Sequence, residues 1–243
     1  MSELILNVLS LRYSSWSMRP WLALTHAGIP FETRTAELPE MQRQTRNDSG
    51  QLEAVVTDLG TRRRMGSVTG LFPVLWVDGE PIHEALAICE WVADTHPEAG
   101  LWPDHPLARA RDRAVCCEMA SGFADLRADL SCHLFARVPH MALRPETRRN
   151  VERVFEIWET QLDRHGGPFL GGRFGIVDCM YYPVLTRFRS YRVDLPADLE
   201  RYARTMEDSP AVRALHAEAR TAPRIDVYDD YVRGLGGDPD AAL

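Results

Sequence analysis

The chain has 243 residues, of which 45% are hydrophobic, and its formal net charge is -7. A chain of this length and composition can bury a substantial core, as one large domain or two small ones, which excludes a disordered protein. The acidic balance argues against electrostatic binding of nucleic acid, because domains that bind it carry a surplus of basic residues. We therefore expect a small molecule or another protein as the partner.

No apolar run is long enough to span a bilayer, and the stretch MSELILNVLS lacks the basic region and cleavage site of a signal peptide. We expect a cytoplasmic protein that does not enter a membrane. The cysteines are odd in number and form no CxxC pair: Cys89, Cys116, Cys117, Cys132 and Cys179. We expect them to be reduced and mostly buried, without a metal site.

The N-terminal part of the sequence predicts a strand, a helix and a second strand. Leu4 to Leu9 is a short apolar run, and Trp21 to Ala27 follows helical spacing. Gly28 suits a left-handed C-cap, and Ile29 to Thr35 then returns to an extended pattern. A strand, a crossover helix and another strand form a βαβ unit with parallel strands.

The proline in YSSWSMRP indicates where the first helix begins. Pro20 has no N–H and is best accommodated in a first helical turn, which predicts a start near Trp16 or Ser17. Ser14 and Ser15 then belong to the loop ahead of the helix. The free N–H groups at the positive end of the helix dipole are expected on Ser17, Met18 and Arg19.

A second helix is predicted within the polar segment 37–70. Its apolar face has residues spaced i, i+3, i+4 and i+7: Leu52, Val55, Val56 and Leu59. Asp48 or Ser49 can serve as the N-cap, and Gly60 lies just past the end. The following run, Arg62 to Arg64, is expected to be a solvated turn.

The stretch FPVLWVDGEPIHEALAICEWV predicts a hairpin followed by a helix. Phe72 to Val77 is apolar and β-prone, Asp78-Gly79 is a strong turn signal, and Glu80 to Ile82 returns as the partner strand. Ala85 to Val92 shows helical spacing, and Pro97 ends that helix. The order βαβαββα is complete by about residue 95.

From His105 onward the pattern is helical. One long apolar stripe runs from Val115 through Met119, Phe123 and Leu126 to Leu130, and the others lie at Val151 to Leu162, from Gly175, and around Leu199 and Leu215. We predict a first domain at 1–95, a linker at 96–104, an all-helical bundle at 105–222 and a C-terminal tail at 223–243. The last stretch, RGLGGDPDAAL, is expected to be frayed.

Three motifs in this order resemble the glutathione transferase superfamily. YSSWSMRPWLAL is similar to the SSCS-type serine loop of the zeta class, with Trp16 where zeta enzymes have cysteine. FPVL, with Pro73 at the position of the family's cis-proline, precedes HEALAICEWV, and GRFGIVDCMYYPVL is similar to the capping box of a core helix. The resemblance implies an α+β two-domain glutathione transferase fold, with a thioredoxin-like first domain and an all-helical second domain.

The resemblance also implies that a serine hydroxyl donates to the glutathione thiolate. A thiol titrates at about 8.5, so a modest downward shift at a helix N-terminus makes the thiolate the main species at neutral pH. Ser14, which matches the first serine of the zeta-type loop, is the expected donor, with Ser15 and Ser17 as alternatives. Without the family, these serines are ordinary helix caps.

Glutathione itself is expected to bind at the second motif. The family pattern places the cysteinyl part against the backbone N–H and C=O of Phe72, ahead of Pro73, like an added strand. Glu84 and the backbone N–H of Ala85 are expected to meet the γ-glutamyl end.

Two residues in this motif depart from the family. Ala85 replaces a serine, and the missing hydrogen bond to a charged group costs about 1.5 to 3 kcal/mol. Leu71 stands where related sequences often have a lysine near the glycyl end. As an alternative to the solvated turn, an arginine from Arg62 to Arg64 could replace that cation.

The electrophile is expected to bind between the serine loop and the first long helix of the bundle. Tyr13, Trp16, Met119 and Phe123 are the candidate contacts, although core packing explains the last two equally well. Asp178, three residues after Gly175, is expected to be structural, because it can bond back to the Gly175 N–H.

The leading hypothesis is a cytoplasmic, homodimeric glutathione transferase that conjugates or isomerises a small electrophile, with a role in detoxification. A non-catalytic binding module on the same fold is the alternative, motivated by Ala85 and Leu71. A dithiol oxidoreductase is a third reading, for which Cys89 is the nearest cysteine in the first domain.

Overall fold

The structure is a computed structural model that describes residues 4–36, 45–46, 52–53 and 59–243. Part of the predicted second helix lies outside these ranges, namely Asp48, Ser49, Val55 and Val56. No helix in the described part of the chain is long and apolar enough to cross a membrane.

The first domain is a mixed sheet with helices on it. Its elements are β1 (Leu4–Val8), α1 (Ser15–His26), β2 (Glu32–Thr35), β3 (Thr45–Arg46), β4 (Leu52–Glu53), α2 (Leu59–Arg64), β5 (Val74–Val77), β6 (Glu80–His83) and α3 (Ala85–Thr95). The sheet order is β2-β1-β5-β6, with β1 parallel to β2 and antiparallel to β5. The predicted βαβ unit and the β5–β6 hairpin are confirmed, whereas the antiparallel pair β3–β4 is an addition.

Helix α1 begins earlier than the sequence analysis predicted. Ser14 is its N-cap: the Ser14 Oγ accepts from the Ser17 N–H at 3.4 Å, and the Ser14 C=O accepts from the Met18 N–H at 3.1 Å. Pro20 therefore lies inside the helix, and the prediction that it occupies the first turn was wrong. A serine cap contributes about 1 kcal/mol and an interior proline costs about 3 kcal/mol, so the burial of most of α1 must supply the rest of the stabilisation.

Helix α2 is also displaced from its predicted position. Leu52 pairs in β4, so the helical spacing there was misleading, and Gly60 lies in the first turn of α2 rather than after its end. The arginine run is helical and is not a solvated turn. Arg62 is buried and donates to the Gly70 C=O, while Arg63 and Arg64 are exposed.

The second domain is helical, as predicted. It contains α4 (Pro106–Ser121), α5 (Ala124–Asp129), α6 (Pro145–His165), α7 (Ile176–Ser190), α8 (Ala197–Asp208), α9 (Pro210–Thr221) and α10 (Asp226–Gly234), after a short 3-10 turn at Pro97–Ala99. Helix α7 is buried almost throughout and packs against α1 and α4. The domain boundaries given above stay a prediction.

The stripe predicted as one helix from Val115 to Leu130 is two helices. Phe123 has a φ of 61°, in the left-handed region, and this residue separates α4 from α5. Apolar spacing continues across the break because both helices bury the same side, so spacing alone could not locate the break.

The C-terminal tail is ordered, contrary to the expectation of fraying. Residues 226–234 form α10, and Arg137 and Asp238 exchange two backbone hydrogen bonds of 2.9 Å. Asp240 lies 2.9 Å from Arg12 and 3.0 Å from Arg224. These charged contacts order a segment whose Gly and Asp content is typical of a frayed terminus.

Asp178 has the structural role that the sequence predicts. Its Oδ2 accepts from the Gly175 N–H and its Oδ1 from the Leu170 N–H, both at 3.0 Å. The side chain is completely buried, and burial raises the pKa of Asp178 to about 7. Two buried backbone donors therefore depend on one carboxyl group.

We expect Asp178→Ala to lower the free energy of unfolding by about 2 to 5 kcal/mol, because two buried N–H groups lose their acceptor. Denaturant unfolding measures the change. Asp163→Ala, at an exposed position of α6, is the control and should change stability by less than about 0.5 kcal/mol. Equal effects of the two substitutions would contradict the assignment.

Candidate active site

A cavity of about 620 Å³ lies between the serine loop and the helical domain. The first domain contributes its wall from the loop before α1, from α2 and from the chain around β5, β6 and the start of α3. The second domain contributes α5, the loop after it, α7 and the region of α10. We call this space the interdomain cavity.

The three serines of the loop differ in their access to the cavity. Ser14 and Ser15 line it, whereas Ser17 is completely buried and does not. The Ser17 Oγ accepts from the Leu9 N–H at 3.2 Å and from the Ser14 hydroxyl at 2.8 Å. Ser17 thus ties β1 to α1, and Ser14 and Ser15 are the two hydroxyls that can meet a ligand.

The first turn of α1 borders the interdomain cavity. The Ser17 N–H is capped by Ser14 and the Met18 N–H bonds to the Ser14 C=O, so the earlier start of the helix moves the free N–H groups away from the predicted residues. The N–H groups of Ser15 and Trp16 now occupy the leading positions. Together with the helix dipole, they make this end of the cavity favourable for an anion.

The residues expected to bind glutathione line one side of the interdomain cavity. Phe72 is joined to Pro73 by a cis peptide bond, as the resemblance implies, and lies just ahead of the first paired residue of β5. Glu84 is the N-cap of α3, with its Oε2 accepting from the Leu86 N–H at 2.9 Å. Ala85 begins that helix and is buried against the cavity.

Leu71 and Arg62 lie together at the edge of this side. Leu71 lines the cavity but is 63% exposed. Arg62 is the member of the arginine run that lines the cavity, and its side chain reaches the Gly70 C=O next to Leu71. A cation is thus present beside the position where the sequence lacks the lysine of related proteins.

The predicted electrophile contacts separate into two groups. Tyr13 and Trp16 line the cavity. Met119 and Phe123 are buried in the main hydrophobic core and are not among its lining residues, which matches their alternative reading as core residues. Phe123 has a left-handed backbone that breaks the helical stripe on which the prediction placed it.

The structure adds cavity residues that the sequence analysis missed: Arg127, Ala128, Ser131, Cys132, Arg187, Ile225 and Tyr228. Arg127 lies on α5 and Arg187 on α7. In both helices the prediction relied on the apolar residues and did not consider the arginines. Ile225 and Tyr228 belong to the segment expected to be a tail. Nothing in the local sequence sets Arg127 or Arg187 apart from the other arginines of the second domain, so the packing of α5 and α7 is what reveals them.

Arg127 and Arg187 form an arginine cluster with Arg19 of α1. The Cζ atoms of Arg19 and Arg127 lie 4.1 and 6.0 Å from the centre of the Trp16 ring. Arg187 donates to the Leu130 C=O and, at 3.5 Å, to the Ser15 Oγ. In the described part of the chain, the hydrogen bonds of these arginines run to carbonyl and hydroxyl oxygens rather than to carboxylates.

The positive charge of this cluster is poorly compensated. Burial, with repulsion from Arg187, lowers the pKa of Arg19 to about 9. Burial also lowers the pKa of Arg127. A bound anion would relieve this repulsion, so the cluster reinforces the preference of the α1 N-terminus for negative charge.

The Tyr13 hydroxyl is bonded to a protein side chain, although Tyr13 lines the cavity. It donates to the Asp229 Oδ1 at 2.8 Å. Burial, together with this hydrogen bond, raises the pKa of Tyr13 to about 12. The proton is therefore held on the side of α10, and Tyr13 presents its ring to the cavity.

The cysteines are free, and four of the five are buried, as predicted. Cys89 lies in the core and does not line the cavity, and burial raises the pKa of its thiol. This position argues against a dithiol oxidoreductase built on Cys89. Among the described residues, no group of three or more His, Cys, Asp or Glu side chains could hold a metal ion.

A small mixed sheet with a cis-proline ahead of β5, followed by a helical domain that closes a cavity at the α1 N-terminus, defines the glutathione transferase fold. The family model for the glutathione S-transferase N-terminal domain matches residues 13–95, and that for the C-terminal domain matches residues 141–218. The chain belongs to the glutathione S-transferase family.

Individual relatives agree with this placement. A probable maleylacetoacetate isomerase from Caenorhabditis elegans is 26% identical over 208 residues, covering 84% of this chain and 90% of that protein. The maleylacetoacetate isomerase of Rhizobium meliloti (strain 1021) is 32% identical over 136 residues, covering 53% of this chain and 62% of that protein.

A solved structure shows the same fold with its ligand. The crystal structure of a glutathione transferase homologue from Burkholderia, with bound glutathione, is similar with a TM-score of 0.64 and 19% identity. The similarity covers 90% of this chain and 99% of that one. At this identity, the similarity supports the fold alone.

Proposed function

We propose that the protein is a glutathione-dependent enzyme that activates glutathione as a thiolate and directs it at a small electrophile, by conjugation or by isomerisation. One observation carries the proposal. Ser14 and Ser15, at the N-terminus of α1, share a single cavity with the Phe72–Pro73 backbone and the Glu84–Ala85 start of α3. Each of these features suits one part of the tripeptide.

The tripeptide would lie along the first domain. Phe72 offers its backbone to the cysteinyl unit, while Glu84 and the Ala85 N–H meet the amino and carboxylate groups of the γ-glutamyl end. Arg62 supplies the cation for the glycyl carboxylate, which Leu71 cannot. The sulfur then reaches the N-terminus of α1.

Ser14 is the proposed donor to the sulfur. Its hydroxyl can turn from the Ser17 Oγ toward a thiolate in the cavity, and the α1 dipole favours the same charge. The thiolate adds its electron pair to one carbon of a double bond conjugated to a carbonyl and forms a C–S bond, while the π electrons move onto the carbonyl oxygen as an enolate. Protonation of that enolate from solvent and release of the adduct is conjugation. Rotation about the carbon–carbon bond left single, followed by return of the enolate electrons and expulsion of the thiolate, is isomerisation.

The electrophile is proposed to carry an anionic group. Arg127 and Arg187 line the cavity from the second domain, and the Arg127 Cζ lies 6.0 Å from the centre of the Trp16 ring in the serine loop. The relatives named maleylacetoacetate isomerase support a carboxylate as that group. Guanidinium groups bind carboxylates with two parallel hydrogen bonds, which would orient the electrophile toward the sulfur.

We also propose a homodimer located in the cytoplasm, with a role in detoxification. Membership of the family supports this, and so do the exposed apolar side chains of Val68 and Leu71 on the first domain, which are 66% and 63% accessible. A second copy packed there would cover both.

We expect Ser14→Ala to lower kcat/KM for glutathione conjugation roughly tenfold to a hundredfold, because a hydrogen bond to a charged group is worth about 1.5 to 3 kcal/mol. Steady-state kinetics with a broad electrophile measures the loss. Ser209→Ala is the matched control, since Ser209 also caps a helix, α9, outside the cavity lining. The assigned role fails if Ser14→Ala, with its fold intact, keeps full activity.

We expect Arg62→Ala to raise the glutathione Kd roughly tenfold or more through loss of a charged contact, as measured by calorimetry. Arg63→Ala is the control, because Arg63 is exposed on the same helix. Arg62→Lys should recover part of the affinity by restoring the charge. If the Arg62 and Arg63 variants bind glutathione equally well, the glycyl contact lies elsewhere.

A further inference from the structure

Asp229 of α10 is bonded to two distant parts of the chain, at Tyr13 and His133, and to the nearby Arg224. Its Oδ1 accepts from the Tyr13 hydroxyl at 2.8 Å and pairs with His133 Nε2 at 2.9 Å. Its Oδ2 accepts from Arg224 Nε and NH2 at 2.9 and 2.6 Å. The Asp229 side chain is 1% exposed, and its contacts to Tyr13 and His133 are buried, whereas Arg224 is 40% exposed and pairs with it from the surface.

The protonation states of this group are well defined. Burial raises the pKa of Asp229, but hydrogen bonds from His133, Tyr13 and Arg224 outweigh burial and hold that pKa well below its usual range. Burial lowers the pKa of His133. A neutral His133 fits its surroundings, because its Nδ1 accepts from the Phe135 N–H at 3.3 Å while Nε2–H donates to Asp229.

The residues that Asp229 holds form a wall of the interdomain cavity. The Tyr13 ring stacks on Tyr228 with 5.0 Å between ring centres, and the His133 ring packs edge-on against Tyr13 at 4.7 Å. Tyr13, Tyr228 and Ile225 all line the cavity. Asp229 follows Tyr228 directly in the chain, so the hydrogen bonds of Asp229 also restrict the position of Tyr228.

We propose that Asp229 is a positioning residue that latches α10 onto the serine loop and thereby sets the specificity for the electrophile, favouring substrates with a flat apolar or aromatic group. This inference rests on the proposed function, since it concerns the electrophile half of the same cavity. The Tyr13–Tyr228 pair lines the cavity and offers such a group the ring surface that the two tyrosines do not cover in each other.

The hydrogen bonds of Asp229 involve the electrophile half of the site and not the proposed glutathione contacts. The proposed glutathione contacts at Phe72, Glu84, Ala85 and Arg62 all lie on the first domain, and none is bonded to Asp229. Loosening α10 therefore removes contacts to the electrophile and leaves these four glutathione contacts in place, and Ser14, next to Tyr13, keeps its own hydrogen bonds to Ser17. A residue needed only for folding would weaken both equally.

The test compares Asp229→Asn and Tyr13→Phe with Asp230→Asn. Tyr13→Phe keeps the ring and removes only the hydroxyl, which makes it informative if Asp229→Asn folds poorly. Asp230 is exposed on α10 and paired with Arg233, so Asp230→Asn is the matched control. Two enones that differ by one phenyl group, benzylideneacetone and methyl vinyl ketone, are the electrophile probes.

We expect the KM for benzylideneacetone to rise roughly tenfold in Asp229→Asn and Tyr13→Phe, the scale of one lost hydrogen bond to a buried charge. The KM for methyl vinyl ketone and the calorimetric Kd for glutathione should change less than about twofold, and Asp230→Asn should match the wild type. Hydrogen exchange of residues 224–234 should accelerate in Asp229→Asn.

Two results would overturn the latch. Parallel losses for both enones and for glutathione would mean that Asp229 serves folding alone, and unchanged kinetics together with unchanged hydrogen exchange would mean that it holds nothing of consequence. A failure of the proposed function is recognised separately, because the wild-type protein would then bind no glutathione while the hydrogen exchange difference persisted.

Discussion

Helix α1 is packed between the two domains, and the position of its N-terminus decides which groups meet in the cavity. One side of α1 contacts α3 and the other contacts α7 and α9. Arg19, buried in the middle of α1, donates to the Met180 C=O of α7 at 3.0 Å. Ser17 ties the same helix to β1 through the Leu9 N–H. The contacts of α1 with both domains therefore set the position of Ser14 and Ser15 relative to the cis-Pro73 edge of the first domain.

The charges around that helix end act together. The α1 dipole, the leading N–H groups and the arginine cluster all place positive potential at the cavity, and burial makes that potential stronger than it would be in water. Burial of Arg19 beside Arg187 is costly, as the lowered pKa of Arg19 indicates. An anion in the cavity offsets this cost. The same arrangement therefore favours a thiolate sulfur and an anionic electrophile in adjacent positions.

Much of the fold could be predicted from the sequence, because short strands, Asp78-Gly79 and the amphipathic helices are local signals. The start of α1 was predicted too late because Pro20 was weighted above the capping preference of Ser14. Local spacing also failed at Leu52, which pairs in β4, and at Phe123, whose backbone breaks a helix. The contributions of Arg187 and Tyr228 to the cavity depend on tertiary packing, which no local pattern in one sequence reveals.

The central claim is that the N-terminus of α1 holds glutathione as a thiolate, and ultraviolet absorbance of the bound thiolate as a function of pH tests it most directly. The account predicts that the thiol of bound glutathione titrates at least one pH unit below the free thiol value of about 8.5. In Ser14→Ala the midpoint should move back toward that value. A midpoint equal to that of free glutathione, with the site saturated, would contradict the account.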